Sequence, residues 1–364
     1  MASGESRSSQ IESQVRCVWH PRQTRGASRL PVSFAPRTRA RWLEPRDPLR
    51  DGWQLPPDDR SLEKLEVVQP ECKKRCGGLI TENKNQTVRS AYYLKSPSVI
   101  SFSGGRTSAF MLAKVLEAHE GKLPDYVKVV FTNTGLEHPK TLDFIEQISK
   151  EWGVDIVWLE YAGKATTQRW KLVTHETASR NGEPFTVLIK EKQYLPSPVA
   201  RFCTVELKIL LIDRWAKDTL GAEFRKHDQL IGLRYDEPRR VSNIKKNRRR
   251  NPAVTPLHEA KHTLQDVTNF WAKQSFSLEI PMHQGNCQGC FLKSRYRIDL
   301  VARETPEALQ WWADQEKKMI GVETAKNHTF RKDRPSYENI LKQSRMQLPM
   351  FPDFDDTVSC HCTD

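Results

Sequence analysis

The stretch Val99-Ile100-Ser101-Phe102-Ser103-Gly104-Gly105-Arg106-Thr107-Ser108 constrains this chain most. Residues 99–102 read as a short buried strand. Residues 107–119 read as a helix whose apolar face is Phe110, Met111, Leu112, Val115 and Leu116. A glycine pair in the turn between them lets the backbone take positive φ and approach a ligand closely. The helix start leaves free N–H groups and the positive end of the dipole facing that ligand. The expected ligand is therefore an anion, above all a phosphate chain. The spacing Gly-x-x-x-x-Gly-Lys-Ser/Thr is absent, so this is not a P-loop of that kind. An ordinary glycine turn is the bland alternative.

The chain has 364 residues, room for two domains or for one large domain with appendages. Residues 1–94 are rich in Arg, Ser and Pro and poor in apolar clusters, and are expected to form a poorly ordered basic extension. An organelle transit peptide is a second reading of that start, and the lack of an amphipathic helix speaks against it. Cys72 and Cys76 have no neighbouring pair to complete a zinc site and read as incidental.

From residue 95 the pattern alternates. Strands are expected at 127–132, 154–161 and 229–233, with helices at 139–152 and 204–220, which predicts a parallel sheet covered by helices on both faces. Ligands of such sheets bind outside the C-terminal strand ends. The Ser103 loop and Asn133-Thr134-Gly135-Leu136-Glu137 both fall on that edge. Residues 162–202 read as irregular. The division expected is a nucleotide-binding α/β domain at 95–262 and a helical, Cys-containing region at 263–364, with helices from Thr263 (capped with Asp266), from Thr305 and from about Pro335.

Four segments in order then carry a resemblance. They are the Ser103 loop; Asn133-Thr134-Gly135-Leu136-Glu137-His138-Pro139; Arg201-Phe202-Cys203-Thr204 with Lys208; and Gly232-Leu233-Arg234-Tyr235-Asp236-Glu237-Pro238-Arg239-Arg240. Together they resemble the phosphoadenosine phosphosulfate (PAPS) reductase family of the adenine nucleotide alpha hydrolase superfamily, over residues 95–364. The resemblance implies the adenine nucleotide alpha hydrolase-like doubly wound sheet and an adenine nucleotide, ATP or PAPS, as substrate. Ser101, Ser103, Gly104, Gly105, Arg106, Thr107 and Ser108 would hold it, with Asn133, Thr134, Gly135, Arg234 and Arg240. Ser103, Arg106, Lys208, Arg234, Asp236 and Glu237 are the catalytic candidates. Arginine suits bidentate phosphate contacts. The superfamily's ATP pyrophosphatases read Ser-Gly-Gly-x-Asp-Ser, and Thr107 stands where the Asp would be. A role for that carboxylate, including any through Mg²⁺, would pass to Asp236 or Glu237. Sulfonucleotide reductases often have a degraded loop and this one is intact, which favours ATP.

Of eight cysteines, Cys203, Cys287, Cys290, Cys360 and Cys362 form the remaining set. Cys287-Gln-Gly-Cys290 has the spacing of a metal loop, and a helix start at Cys203 would lower its thiol pKa. Soft ligands without paired histidines suit an iron–sulfur cluster or a four-cysteine zinc site. The resemblance puts a 4Fe-4S cluster first, with Cys362 slightly ahead of Cys360 as the tail ligand. Buried, unliganded cysteines are the alternative.

The net charge of +13 calls for an anionic partner. Lys245, Lys246, Arg248, Arg249 and Arg250, after Arg239 and Arg240, make nucleic acid one such partner, against a solvated loop. Trp271, Trp311 and Trp312 read as helix core. A sulfur donor protein is a further expected partner. No membrane-spanning or secretory segment is seen, and the cytoplasm is the expected compartment.

Overall fold

The computed structural model describes residues 91–246, 251–323 and 325–344. Residues 1–90, Arg248, Arg249, Arg250, Cys360 and Cys362 lie outside them, and the last residues of the expected extension, 91–94, belong to the folded part, with Tyr92 and Leu94 buried in a core. Six strands are formed: β1 (Ser98–Phe102), β2 (Val127–Asn133), β3 (Ile156–Tyr161), β4 (Trp170–Val173), β5 (Asp228–Ile231) and β6 (Ala253–Val254). They make one sheet in the order β4-β3-β2-β1-β5-β6. All neighbours are parallel except β3 and β4. Ser101 of β1 pairs with Val130 of β2 and Ile231 of β5. The loops leaving these three strands therefore open on one edge of the sheet.

The period-two alternation of the strands divides their side chains between two cores. Ile100, Phe102, Val129, Phe131, Ile156 and Trp158 face one side. There they meet α1 (Arg106–Ala118), α2 (Pro139–Trp152) and α6 (Leu264–Trp271). Val99, Val130, Leu159 and Tyr161 face the other. That side is covered by α3 (Glu183–Lys192) and α4 (Leu210–Thr219), and by α7 (Arg295–Glu304), α8 (Glu307–Met319) and α9 (Tyr337–Ser344). The sheet is thus doubly wound, and both cores draw on residues on either side of position 262.

Local signals set several boundaries. α2 begins at a proline beneath the His138 side chain, which accepts from the Lys140 N–H at 3.1 Å, and ends at Gly153 in the left-handed conformation. Thr263 and Asp266 form a capping box at the start of α6. Several elements differ from the sequence reading, among them Pro238–Lys246 and Arg295–Glu304, which form helices it did not expect. The stretch 162–202 contains β4 and α3. β4 buries only Trp170 well while Leu172 is 60% exposed, so an antiparallel edge strand left little alternation to read. α3 starts at Gly182, which offers no capping side chain. The helix expected from Thr204 begins at Phe202–Thr204, passes through a π segment, Val205–Ile209, and continues as α4. Cys203 therefore sits inside the first turn rather than ahead of it.

Candidate active site

β1 delivers the loop to the open edge of the sheet. Gly104 adopts φ +76°, and a Cβ there would lie 2.7 Å from Ile145 and 2.8 Å from Thr141 of α2. Gly104 is therefore the glycine the turn requires; Gly105, at φ −90° and ψ 159°, has a backbone open to any residue. Ser108 shapes the loop from below. Its hydroxyl is fully buried, donates to the Gly105 carbonyl at 2.9 Å and lies 3.0 Å from the Ser103 hydroxyl. The Ser101 hydroxyl accepts from Gln229 of β5 at 3.1 Å, within the sheet. Gly232 lets the end of β5 pass close to this helix start, since a Cβ there would be 3.2 Å from the Ser108 Cα.

β5 delivers Arg234 to the same place. Its guanidinium donates to the Thr107 hydroxyl at 3.0 Å and to Asp236 at 3.0 Å, and its backbone N–H donates to Glu237. Glu237 also pairs with Arg240. The second oxygen of Asp236 accepts from the Leu264 N–H at the start of α6. Asp236 and Glu237 thus hold Arg234 from behind, and Thr107 receives it. The position where a carboxylate would be expected carries instead a hydroxyl that fixes an arginine.

A cleft of about 720 Å³ opens above the loop. Ser103, Gly104, Gly105, Arg106, Thr107 and Arg234 form its floor. Leu264, Val267 and Trp271 of α6 form one wall, with Leu278, Ile280 and Met282 beyond. The Trp271 indole fastens that wall to the loop by donating to the Arg106 carbonyl at 2.9 Å. Gly285, Asn286 and Arg297 also line it, and Cys287 follows Asn286 directly in the chain. The sequence reading missed α6, residues 277–286 and Arg297 as site elements; only their distance in space from Ser103 reveals them. Asn133, Thr134, Gly135, Lys208, Asp236, Glu237 and Arg240 do not line the cleft.

Instead, the β2 loop meets the cysteines. The Asn133 side chain donates to Glu160 of β3 at 2.6 Å and to the Ser179 carbonyl at 2.8 Å. The Thr134 hydroxyl donates to Glu137 and lies 3.3 Å from Cys287 Sγ. Glu137 and Cys287 form an isolated antiparallel bridge, and the Gln288 N–H donates to the Leu136 carbonyl. Burial pushes the Cys287 thiol well above its ordinary range and Glu137 adds to this; Lys208 and the Thr134 hydroxyl act the other way.

Cys203, Cys287 and Cys290 all pack against one core. Their chemistry suits a soft metal, and beside them the buried Trp312 Nε1 has no hydrogen-bond partner. Among the described residues no three His, Cys, Asp or Glu side chains converge as a complete metal site.

Fold and site together define an α/β protein with a doubly wound sheet and a glycine loop between its first strand and first helix. Residues 97–277 match the phosphoadenosine phosphosulfate reductase domain, and this part of the chain belongs to that family. Cys287 and Cys290 lie beyond the matched residues. The uncharacterized nin region protein ORF290 of Escherichia phage lambda is 29% identical over 258 residues, 69% of this chain and 82% of its own. An uncharacterized 37.8 kDa protein of Escherichia phage 186 is 29% identical, over 64% of this chain and 78% of its own. Among solved structures, the chain is similar to the U34-tRNA thiolase NcsA from Methanococcus maripaludis with its 4Fe-4S cluster. That similarity covers 79% of this chain and 89% of NcsA, at 14% identity and a TM-score of 0.35.

Proposed function

We propose that the cleft binds an adenine nucleotide, with ATP favoured, and that the protein cleaves it at the α-phosphate in the service of sulfur transfer. One observation carries this reading: one cleft is lined by the glycine loop, by Arg234 and by Asn286, the neighbour of Cys287 in the chain. A nucleotide bound there would have its phosphates on the loop amides, Ser103, Arg106 and Arg234, with apolar walls for a base. An acceptor oxygen attacking the α-phosphorus would form an acceptor–AMP ester, and the P–O bond to pyrophosphate would break. Arg106 and Arg234 would balance the charge growing on the departing group. A sulfur nucleophile would then displace AMP from the acceptor.

Cys203, Cys287 and Cys290, with Cys362 or Cys360 from the tail, would hold an iron–sulfur group, with zinc as the alternative. Such a group supplies soft coordination for sulfur and, with iron, electron transfer. Family membership supports a second reading, a true sulfonucleotide reductase that forms sulfite from PAPS. A non-catalytic nucleotide- and nucleic-acid-binding module is the third. Anaerobic purification followed by iron and acid-labile sulfide analysis, and calorimetry with ATP and with PAPS, tests the site. Protein that binds neither nucleotide removes the leading reading.

Nucleic acid is the acceptor class we favour. α5 (Pro238–Lys246) buries Val241 and Ile244 and exposes Arg239, Lys245 and Lys246, just after Arg234 in the chain. Neutralising these three should weaken binding to a nucleic acid and flatten the plot of log affinity against log salt by about two to three units. Affinity that ignores both salt and substitution in a filter-binding titration would leave α5 as plain solvated surface. A sulfur donor protein completes the proposed scheme. Among the described residues no helix is long and apolar enough to cross a membrane.

A further inference from the structure

Trp312 of α8 is 1% exposed, and its Nε1–H has no hydrogen-bond partner. Other tryptophans of this chain find one: Trp170 donates to Asp218, Trp271 to the Arg106 carbonyl and Trp311 to Thr186. Buried donors are so regularly satisfied that an orphan points to an absent acceptor.

The direction of this donor is fixed. The ring is stacked on Tyr337 and set edge-on to Phe330 and Phe185, with Trp311 against it. A Cβ on Gly289 would lie 2.2 Å from Nε1 and 2.3 Å from Cδ1. The N–H edge of the indole therefore faces Gly289, the residue between Gln288 and Cys290. The Gly289 carbonyl accepts from the Tyr337 hydroxyl at 2.6 Å and not from the indole. The absence of a side chain at Gly289 leaves the indole edge against the backbone of the Cys287–Cys290 loop.

We infer that Trp312 is a positioning residue for this loop, its Nε1–H donating to a cysteine sulfur there once the loop holds a metal. A neutral thiol accepts weakly. A metal-bound thiolate carries the negative charge that would make it the missing acceptor, and such outer contacts orient ligands and raise a site's affinity for its metal. The inference rests on reading Cys287 and Cys290 as ligands.

The test uses the full chain with 15N-labelled tryptophan and zinc alone as the probe, loaded without oxygen. The Trp312 indole N–H resonance is assigned by its absence in Trp312→Phe, which keeps an aromatic ring and removes the donor. If that variant does not fold, contacts to the Phe330 and Tyr337 ring protons assign it in the wild type. Zinc should move this resonance downfield and leave that of Trp170 in place, and Trp312→Phe should bind zinc about tenfold more weakly. A stationary Trp312 resonance with zinc bound in a Cys287-dependent manner overturns this inference alone. Zinc binding that is absent, or unaffected by Cys287→Ser, overturns the metal reading and this inference together.

Discussion

Gly104→Ala is expected to abolish nucleotide binding and to destabilise the fold. Gly104 holds φ +76°, and an added Cβ would press on Ile145 and Thr141 at 2.7 and 2.8 Å. Those neighbours are buried on α2, so the loop must move instead. Left-handed strain and overpacking each cost about 1–3 kcal/mol, a fall of several degrees in Tm. The loop amides and the Ser103 hydroxyl would leave their places with it. Gly105→Ala is the control, because its extended backbone accepts any residue, and it should leave Tm nearly unchanged. Scanning calorimetry and ATP titration check both variants. A Gly104→Ala protein with wild-type Tm and wild-type ATP affinity would remove the loop as the phosphate cradle.

Arg234→Ala should cost about 100-fold in ATP affinity at low salt, in line with the loss of charge-assisted contacts worth about 1.5–3 kcal/mol each. Arg234 is buried, at 9% exposure, with its guanidinium held by Asp236 and Glu237 and donating to Thr107 on the cleft floor. Its removal takes a positive charge from the nucleotide and leaves Asp236 without its cation, while Glu237 keeps Arg240. Arg234→Lys should not restore binding, because a point charge cannot span Thr107 and Asp236 together. Near-wild-type ATP affinity in both variants, read by calorimetry, would show that Arg234 serves only the fold.

These two residues also show what a sequence displays and what it hides. The strand, glycine turn and helix around Gly104 are local, and so are the caps of α2 and α6, each written in adjacent residues. Which glycine bears the positive φ is not local, because α2 decides it by crowding Gly104. Arg234 could be picked out by its segment, but its contact with Thr107 spans 127 residues and comes from the pairing of β1 with β5. Asn133, Thr134 and Gly135 were placed correctly at the strand end and assigned to the nucleotide. In the structure the buried Glu160 and Ser179 take the Asn133 amide, and Thr134 turns to Glu137 and Cys287. The cleft wall from α6 to Asn286 and the unpaired Trp312 donor have no sequence signal, since a capped helix and a tryptophan pair read as ordinary core.

The most direct test of the account is to follow ATP and PAPS separately by 31P NMR and sulfite assay, using anaerobically prepared protein with water as the default acceptor. Slow conversion of ATP to equal amounts of AMP and pyrophosphate is expected, lost in Gly104→Ala and Arg234→Ala. Formation of ADP and phosphate would contradict cleavage at the α-phosphorus, and sulfite from PAPS with no AMP from ATP would put the reductase reading in its place.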